Sequence, residues 1–578
     1  MKILVAYRPD YVKALIRNGM ISDLTGFRVT MNCRVPEEMK FNRIAERDGE
    51  LYELVRRQGN PFYVDRLQGG SFYKKYDYDL DLLHHYREIL GENFLGLQMH
   101  ELGCVRRLDW KRIRKAVGHP QPWTPEEIIE EVRKISSDKE NIHLSCGTAY
   151  EYAGDRQPQS YPEQIEDFRM HIAKRMGETD GFAFPCEAGR ITYHLMAKHG
   201  VRTYFSEQGG QTPNLRVQTA IARGMAHAAG GKWCVFYENY LTLNGRLGRC
   251  NFLEDAPGDW YGRYYGPSGN PNATYPSIGG EYGGGSSRSV QKRIGFYALT
   301  SGADFYTDEF AVSSNFRRMS TAELSPFGRI NKEMMTYFSG AGDVKPVVMA
   351  AAVLPKELEY FDSMLTPEAM LCGFECPELY DTVKRVCGIL APLFGADREG
   401  VGNEEHIMRN SAFHDSVDIL YEDAPASVLD SYPVLLDATP GGRFSKAYQG
   451  KARVLSGEVS DIHRMLRKEL NRELGYEIEG NAIVQPYVQN GTACIAVYNG
   501  DGILRSIERG DERLPEGKHS VVLRFARPFD LRIEKKSAED VSVEVQDGLA
   551  EVTLPAGEFV LLSTGWPEEI WKRFCVYQ

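Results

Sequence analysis

FLGLQMHE (94–101) runs through a short apolar strand and finishes on a carboxylate. Five further stretches follow the same course: LSCGTAYE (144–151), GFAFPCE (181–187), RTYFSE (202–207), WCVFYE (233–238) and ADFYTDE (303–309). Loop residues and then a helical pattern follow, as in YPEQIEDFRMHIAKRM (161–176) and NLRVQTAIARGMAHAA (214–229). Strands buried on both faces read as continuous apolar runs, and their alternation with helices predicts a parallel sheet. Acids gathered at C-terminal strand ends mark the working face of a (β/α)8 barrel.

Working outward, candidate strands lie at 27–32, 61–66, 94–100, 142–147, 181–186, 202–206, 233–237 and 303–307. That makes eight, the barrel number. MKILVAYR (1–8) is a ninth candidate. Counting from 27 leaves the first 26 residues as a cap or an extra β-α unit. The barrel is expected over 1–342. Beyond it, KPVVMAAAVLP (345–355), PELYDTVKRVCGILAPLF (377–394), VDILYED (417–423), YPVLLDATP (432–440) and KARVLSG (451–457) alternate strand with helix again. This predicts a flavodoxin-like α/β domain over 343–475. It carries no GxGxxG or P-loop, so its expected role is structural or in oligomer contacts. Short strands with turn signals fill 476–578 and predict a β-sandwich closed by a short docking helix, WPEEIWKRFCVYQ (566–578).

A chain of 578 residues fits three such domains. The net charge of −11 argues against nucleic acid, whose binding releases counterions from phosphates through basic patches. No run approaches the length of a membrane span. The N-terminal apolar run is broken by Arg8, Pro9 and Asp10 and lacks the build of a signal peptide. Eleven scattered cysteines without a CxxC pair read as free thiols of a reducing compartment, which predicts a cytoplasmic protein.

Convergent carboxylates suit glycoside hydrolysis, in which one acid protonates the leaving group and a second attacks or activates water. Glu238 and Glu101, each placed by a strand end, are the leading candidates for nucleophile and acid; their bland readings are an ion pair with Arg288 or Arg293 and a capping role. Glu309, with Asp308 beside it, could replace either or hold a sugar hydroxyl. Glu187 and Glu207 read as substrate ligands or ion-pair partners, and Glu151 is weaker. His100, Tyr237 and Tyr240 are candidate sugar contacts, although a buried histidine is more often a satisfied core residue. Asp65 and Arg66 read as an ion pair. The long connection at 239–288 is rich in Gly and Tyr, and loops of that length inside a compact domain are functional or disordered. Its Trp260, Tyr261, Tyr264 and Tyr265 would cover the barrel mouth and stack on a pyranose. No HxH or HExxH cluster occurs, so no metal or other cofactor is expected.

LGLQMHELG (95–103) resembles the fourth-strand motif of clan A glycoside hydrolases, in particular family 42 β-galactosidases. GGKWCVFYENY (230–240), RIGFYALTSGADFYTDE (293–309) and ELSPFGRINKEM (323–334) are similar to that family's seventh strand, last helix, eighth strand and exit. The resemblance implies Glu101 as acid/base, Glu238 as nucleophile, retention of configuration and a homo-oligomer. His100 stands where the family pattern has Asn, and Phe310 where it has Trp, which points to a divergent family. With MKILVAYR uncounted, Glu101 ends the third strand rather than the fourth. The competing readings are a carbohydrate-binding barrel without catalysis, which would lose one of its acids, and a sugar isomerase or lyase, which would need a metal cluster or a strand-end lysine.

Overall fold

In a computed structural model of the chain, the described residues are 1–7, 9–30, 59–65, 80–105, 160–209, 212, 214–238, 240–243, 246–249, 287–309, 311–365, 370–371, 374–398, 400–402, 404, 407–506 and 510–575. Eight strands close into a barrel: β1 (Lys2–Ala6), β2 (Thr25–Thr30), β3 (Phe62–Asp65), β4 (Phe94–His100), β5 (Ala183–Glu187), β6 (Thr203–Gly209), β7 (Lys232–Glu238) and β8 (Phe305–Asp308). All neighbours are parallel, and Lys2 opposite Phe305 closes the ring.

The strand count therefore differs from the one that begins at 27. MKILVA is the first barrel strand and not a cap: Ile3–Ala6 pairs with Thr25–Arg28 on one side, and Lys2 and Ile3 pair with Phe305 and Tyr306 on the other. The expected strand at 142–147 lies outside the described residues, as does Glu151. No slot in the ring is open to such a strand, because Leu97–His100 of β4 pairs directly with Ala183–Cys186 of β5. An apolar run of that length has no periodicity that separates a barrel strand from another buried segment. With the count corrected, Glu101 follows the fourth strand, Glu238 ends the seventh and Glu309 follows the eighth.

Side chains alternate between the barrel interior and the helix layer. Tyr63, Phe184 and Phe205 set the phase. Their rings meet at 5.8 Å (Tyr63–Phe184), 5.0 Å (Tyr63–Phe205) and 4.8 Å (Phe184–Phe205) although β3 is not adjacent to β5 or β6. Such contacts must cross the interior. Two residues further on, Cys186 and Glu207 point the same way. Phe236 of β7 likewise reaches the His100 ring of β4 at 5.7 Å, so Glu238, two residues on, faces inward at the mouth.

Ser287 caps the helix Arg288–Thr300 by accepting from the Val290 N–H at 2.9 Å, and this helix leads into β8. Helix Leu215–Ala228 leads into β7 and is buried over nearly its whole circumference. One side packs on the barrel. The other meets a parallel sheet of order Val417–Tyr421, Ala350–Leu354, Val434–Asp437, Arg453–Leu455. That is the doubly wound order 2-1-3-4 expected of a flavodoxin-like unit. Gly224 permits the approach: a Cβ there would stand 2.4 Å from the Ile419 carbonyl oxygen.

Beyond the barrel and this sheet, the two larger sheets are antiparallel. One has the order Val344–Pro346, Ile483–Gln489, Thr492–Tyr498, Phe559–Pro567, Arg532–Lys536, and the other Tyr476–Gly480, His519–Phe525, Leu549–Leu554, Ser542–Gln546. Val344–Pro346 follows directly on the barrel in sequence yet pairs at the edge of the first of these sheets. The chain end forms two 3-10 turns, Glu568–Ile570 and Lys572–Phe574, rather than one helix. Trp571 between them is buried, and its Nε1 donates to the Leu474 carbonyl at 3.1 Å. Among the described residues no helix is long and apolar enough to cross a membrane.

Candidate active site

Among the described side chains, those facing inward at the C-terminal strand ends include Arg28 of β2, His100 of β4, Cys186 of β5, Glu207 of β6, Glu238 of β7 and, past β8, Glu309. All are buried. Glu101 stands just above them with its side chain 20% exposed, so among these acids it is the one open to solvent. His100 Nε2 lies 3.6 Å from Glu101 Oε2 and 3.5 Å from Glu207 Oε2.

Glu101 is held by its backbone. Its N–H donates to the Cys186 carbonyl at 2.6 Å, which extends the β4–β5 pairing by one bond. Its φ of +49° is left-handed, a conformation that costs a non-glycine residue about 1–3 kcal/mol and gathers at functional sites. The turn Leu102–Val105 follows at once, and Glu187 pins it: Gly103 N–H donates to Glu187 Oε2 at 3.0 Å. The Thr192 hydroxyl donates to Glu187 Oε1. Burial pushes the Glu187 carboxyl up to about 8, against the lowering effect of those two bonds. Glu187 thus points away from the interior, with the phase opposite to Phe184 and Cys186, and holds the segment after Glu101.

Glu238 is positioned by the neighbouring strand. It lies opposite Gly209, whose φ is +149°. A Cβ on Gly209 would stand 2.0 Å from the Glu238 carbonyl oxygen and 3.0 Å from its Cβ. Only glycine lets β6 pass so close to this residue.

Arg28 was not singled out in the sequence. Its Nη2 donates to the Glu309 carbonyl at 2.8 Å, and its guanidinium lies 5.6 Å from the Phe236 ring centroid. The signal was one cation in the otherwise apolar strand FRVT (27–30). A buried guanidinium brings positive charge among the carboxylates of the mouth. The Glu309 N–H donates to the Tyr237 carbonyl at 2.8 Å, so its backbone is tied on both sides.

Tyr237 and Asp308 face the helix layer, not the mouth. Tyr237 stacks on Tyr306 at 6.3 Å. Asp308 accepts from the Tyr306 hydroxyl at 2.8 Å and from Nδ2 of Asn331 in helix Pro326–Gly340. Burial raises the Asp308 carboxyl to about 6 against these bonds. Their expected place beside the substrate is corrected by strand alternation: each is one residue out of phase with the inward acid that follows it. Tyr240 opens a short hairpin of Tyr240–Leu243 with Arg246–Arg249 directly after β7. Trp260, Tyr261, Tyr264 and Tyr265 lie outside the described residues, as do Arg66 and Phe310.

No family model matches this chain, and no curated protein sequence does. Solved structures similar to it include α-L-fucosidase isoenzyme 2 from Paenibacillus thiaminolyticus, at 9% identity and TM-score 0.44, covering 98% of this chain and 100% of the other. A catalytic mutant of a family 42 β-galactosidase from G. stearothermophilus is similar at 10% identity and TM-score 0.44, covering 97% and 98%. A β-galactosidase from the Antarctic haloarchaeon Halorubrum lacusprofundi is similar at 12% identity and TM-score 0.40, covering 98% and 99%. Identities of 9–12% with TM-scores below 0.5 carry no activity over to this chain.

Proposed function

We propose that the chain is a glycoside hydrolase of the retaining type, with Glu101 as acid/base and Glu238 as nucleophile. One observation carries this reading. Glu101 follows β4 and Glu238 ends β7, and the side chains just beneath them, His100 and Phe236, touch across the barrel at 5.7 Å. That contact supports a reading in which the two carboxylates share one space. In the proposed reaction Glu101 protonates the glycosidic oxygen as Glu238 attacks the anomeric carbon and the aglycone leaves. Water then attacks the glycosyl-enzyme, giving its proton to Glu101 and releasing Glu238. Glu207, Glu309 and Arg28 line the same mouth and would hold sugar hydroxyls. A screen of aryl glycosides tests the reading. Release of the aryl alcohol that is lost in both Glu101→Gln and Glu238→Gln supports it. Sugar binding without turnover by the wild-type chain would replace it with a carbohydrate-binding role.

The loop at 239–288 leaves the strand that carries Glu238, and we propose that it closes the pocket over a chain end, giving exo-action on short, cytoplasmic sugars. Trp260 or a neighbouring tyrosine would stack on the pyranose. Product analysis on a labelled oligosaccharide decides this: internal fragments of mixed length from the start mean an open cleft. An unchanged KM in Trp260→Ala would separately remove that residue from the site.

A further inference from the structure

We propose that His100, Cys186 and Glu207, with Glu101 closing the set, form a site for a thiophilic divalent cation such as Zn2+ at the floor of the barrel mouth. We further propose that the bound cation stops hydrolysis by taking up Glu101; this second half rests on the role proposed above for that residue.

The three residues are the last inward side chains of the adjacent strands β4, β5 and β6. They lie 86 and 21 positions apart in sequence, so no local spacing rule finds them. Their potential ligand atoms all lie within 4.8 Å of one another, and all three residues are buried. The distances from His100 Nε2 to Glu207 Oε2 and Glu101 Oε2, 3.5 and 3.6 Å, exceed an N–H···O hydrogen bond, whose upper range is about 3.2 Å. They match the edge of a tetrahedron around zinc, about 3.4 Å for metal–ligand bonds of about 2.0–2.2 Å. Loading therefore asks the widest of these separations to contract by at most about 1.4 Å to reach zinc geometry.

The donor set chooses the ion. Imidazole, thiolate and carboxylate together suit Zn2+; a thiolate disfavours Mg2+ and Ca2+, which take oxygen ligands. Three protein ligands with a fourth position shared between Glu101 and water describe an exchangeable site rather than a closed structural one. The competing explanation is an imidazolium held between two carboxylates. An imidazolium pair needs no thiolate and a bound cation does, so a Cys186 variant decides between them by experiment.

The test uses the full-length protein stripped with a chelator and titrated with Co2+ as a spectroscopic probe. The proposal expects one equivalent of Co2+ with a thiolate-to-cobalt charge-transfer band, displaced by Zn2+. The band is lost in Cys186→Ser, or in Cys186→Ala should the serine variant fail to fold, and Zn2+ affinity falls in Glu207→Gln. Absence of the band at stoichiometric excess, or its persistence in the Cys186 variant, overturns the site. Glu207→Gln with unchanged affinity removes that residue from it. On any glycoside that the enzyme cleaves, Zn2+ is expected to abolish turnover and a chelator to restore it. Full turnover with the cation bound overturns the inhibitory half. Failure to cleave any glycoside leaves the cobalt titration untouched, so the two readings fail separately.

Discussion

Glu101 and Glu238 are placed by different means, and both would be silent in a stability measurement. Glu101 sits in a left-handed turn above the barrel floor, and Glu238 at a strand end behind a glycine. Replacing either carboxylate by its amide keeps the shape and removes the charge. Glu101→Gln is expected to lower turnover on a good substrate by about 10²–10⁴-fold, the range for one general acid–base group. Glu238→Gln should cost at least as much, each at unchanged melting temperature. Activity near wild type in either variant removes that residue from the pair, and Glu309 becomes the next to test. Glu187 behaves differently because it carries its proton in the folded state up to about pH 8. The unfolded chain releases that proton near 4.5. The folded form therefore binds the proton more tightly, and stability is fully present below about 4.5, falls as pH rises toward about 8 and levels off beyond. Asp308, raised from 3.8 to about 6, acts with the same sign over its own narrower window. Glu187→Gln is expected to flatten the fall in melting temperature across that range. Parallel profiles for variant and wild type would mean that Glu187 holds no proton there.

At the scale of the element, β6 and β7 depend on one close approach. Gly209→Ala places a methyl group 2.0 Å from the Glu238 carbonyl, and backbone must move to admit it. Overpacking of this kind costs about 1–3 kcal/mol. Because the displaced residue is Glu238, the variant should lose turnover beyond what its melting temperature explains. Gly177→Ala is the control: a Cβ there meets nothing within 4 Å, inside helix Tyr161–Glu178, and alanine should stabilise that helix by about 0.5–1 kcal/mol. Equal activity in the two variants would show that Gly209 does not position Glu238. Elements of this kind were partly legible beforehand. Apolar runs ending on acids announced the barrel, since a strand buried on both faces has little else to display. The count was not legible, because MKILVA and the run at 142–147 look alike in sequence, and it is pairing that admits MKILVA to the ring. The inward phase of each strand end was also hidden. Tyr237 and Glu238 are adjacent in sequence and face opposite layers, and the phase is set by contacts such as Tyr63–Phe205 that join distant strands. Arg28 was visible as a lone cation but had no spacing partner. His100, Cys186 and Glu207 met only once three strands were in register.

The whole molecule is joined by buried charge rather than by apolar surface alone. Arg216 and Arg223 of helix Leu215–Ala228 reach Asp415 at 3.1 Å and Asp418 at 2.7 Å, and Arg293 of helix Arg288–Thr300 reaches Glu404 at 2.7 Å. These helices lead into β7 and β8, so the pairs brace the strands that carry Glu238 and Glu309. The α/β sheet beyond them has no cofactor motif, and we propose that it builds contacts between subunits of a closed, symmetric homo-oligomer. Light scattering that gave a mass near the 65.4 kDa of one chain at micromolar concentration would remove that proposal. The braces make the sharper prediction. Arg293 and Glu404 are each 1% exposed, and Arg293 also donates to the Gly500 carbonyl at 3.3 Å. Removing one partner strands a buried charge, which costs about 3–5 kcal/mol, whereas replacing both by apolar groups of similar volume is often neutral. Arg293→Met is therefore expected to lower the calorimetric melting temperature by several degrees, and adding Glu404→Leu to recover part of the loss. The recovery distinguishes desolvated charge from lost packing, because a packing defect would deepen with the second substitution. A double variant as unstable as the sum of the two singles would mean that the pair does not act as a unit. Hydrolysis should follow the same order, since a loosened helix Arg288–Thr300 frees β8 at the mouth.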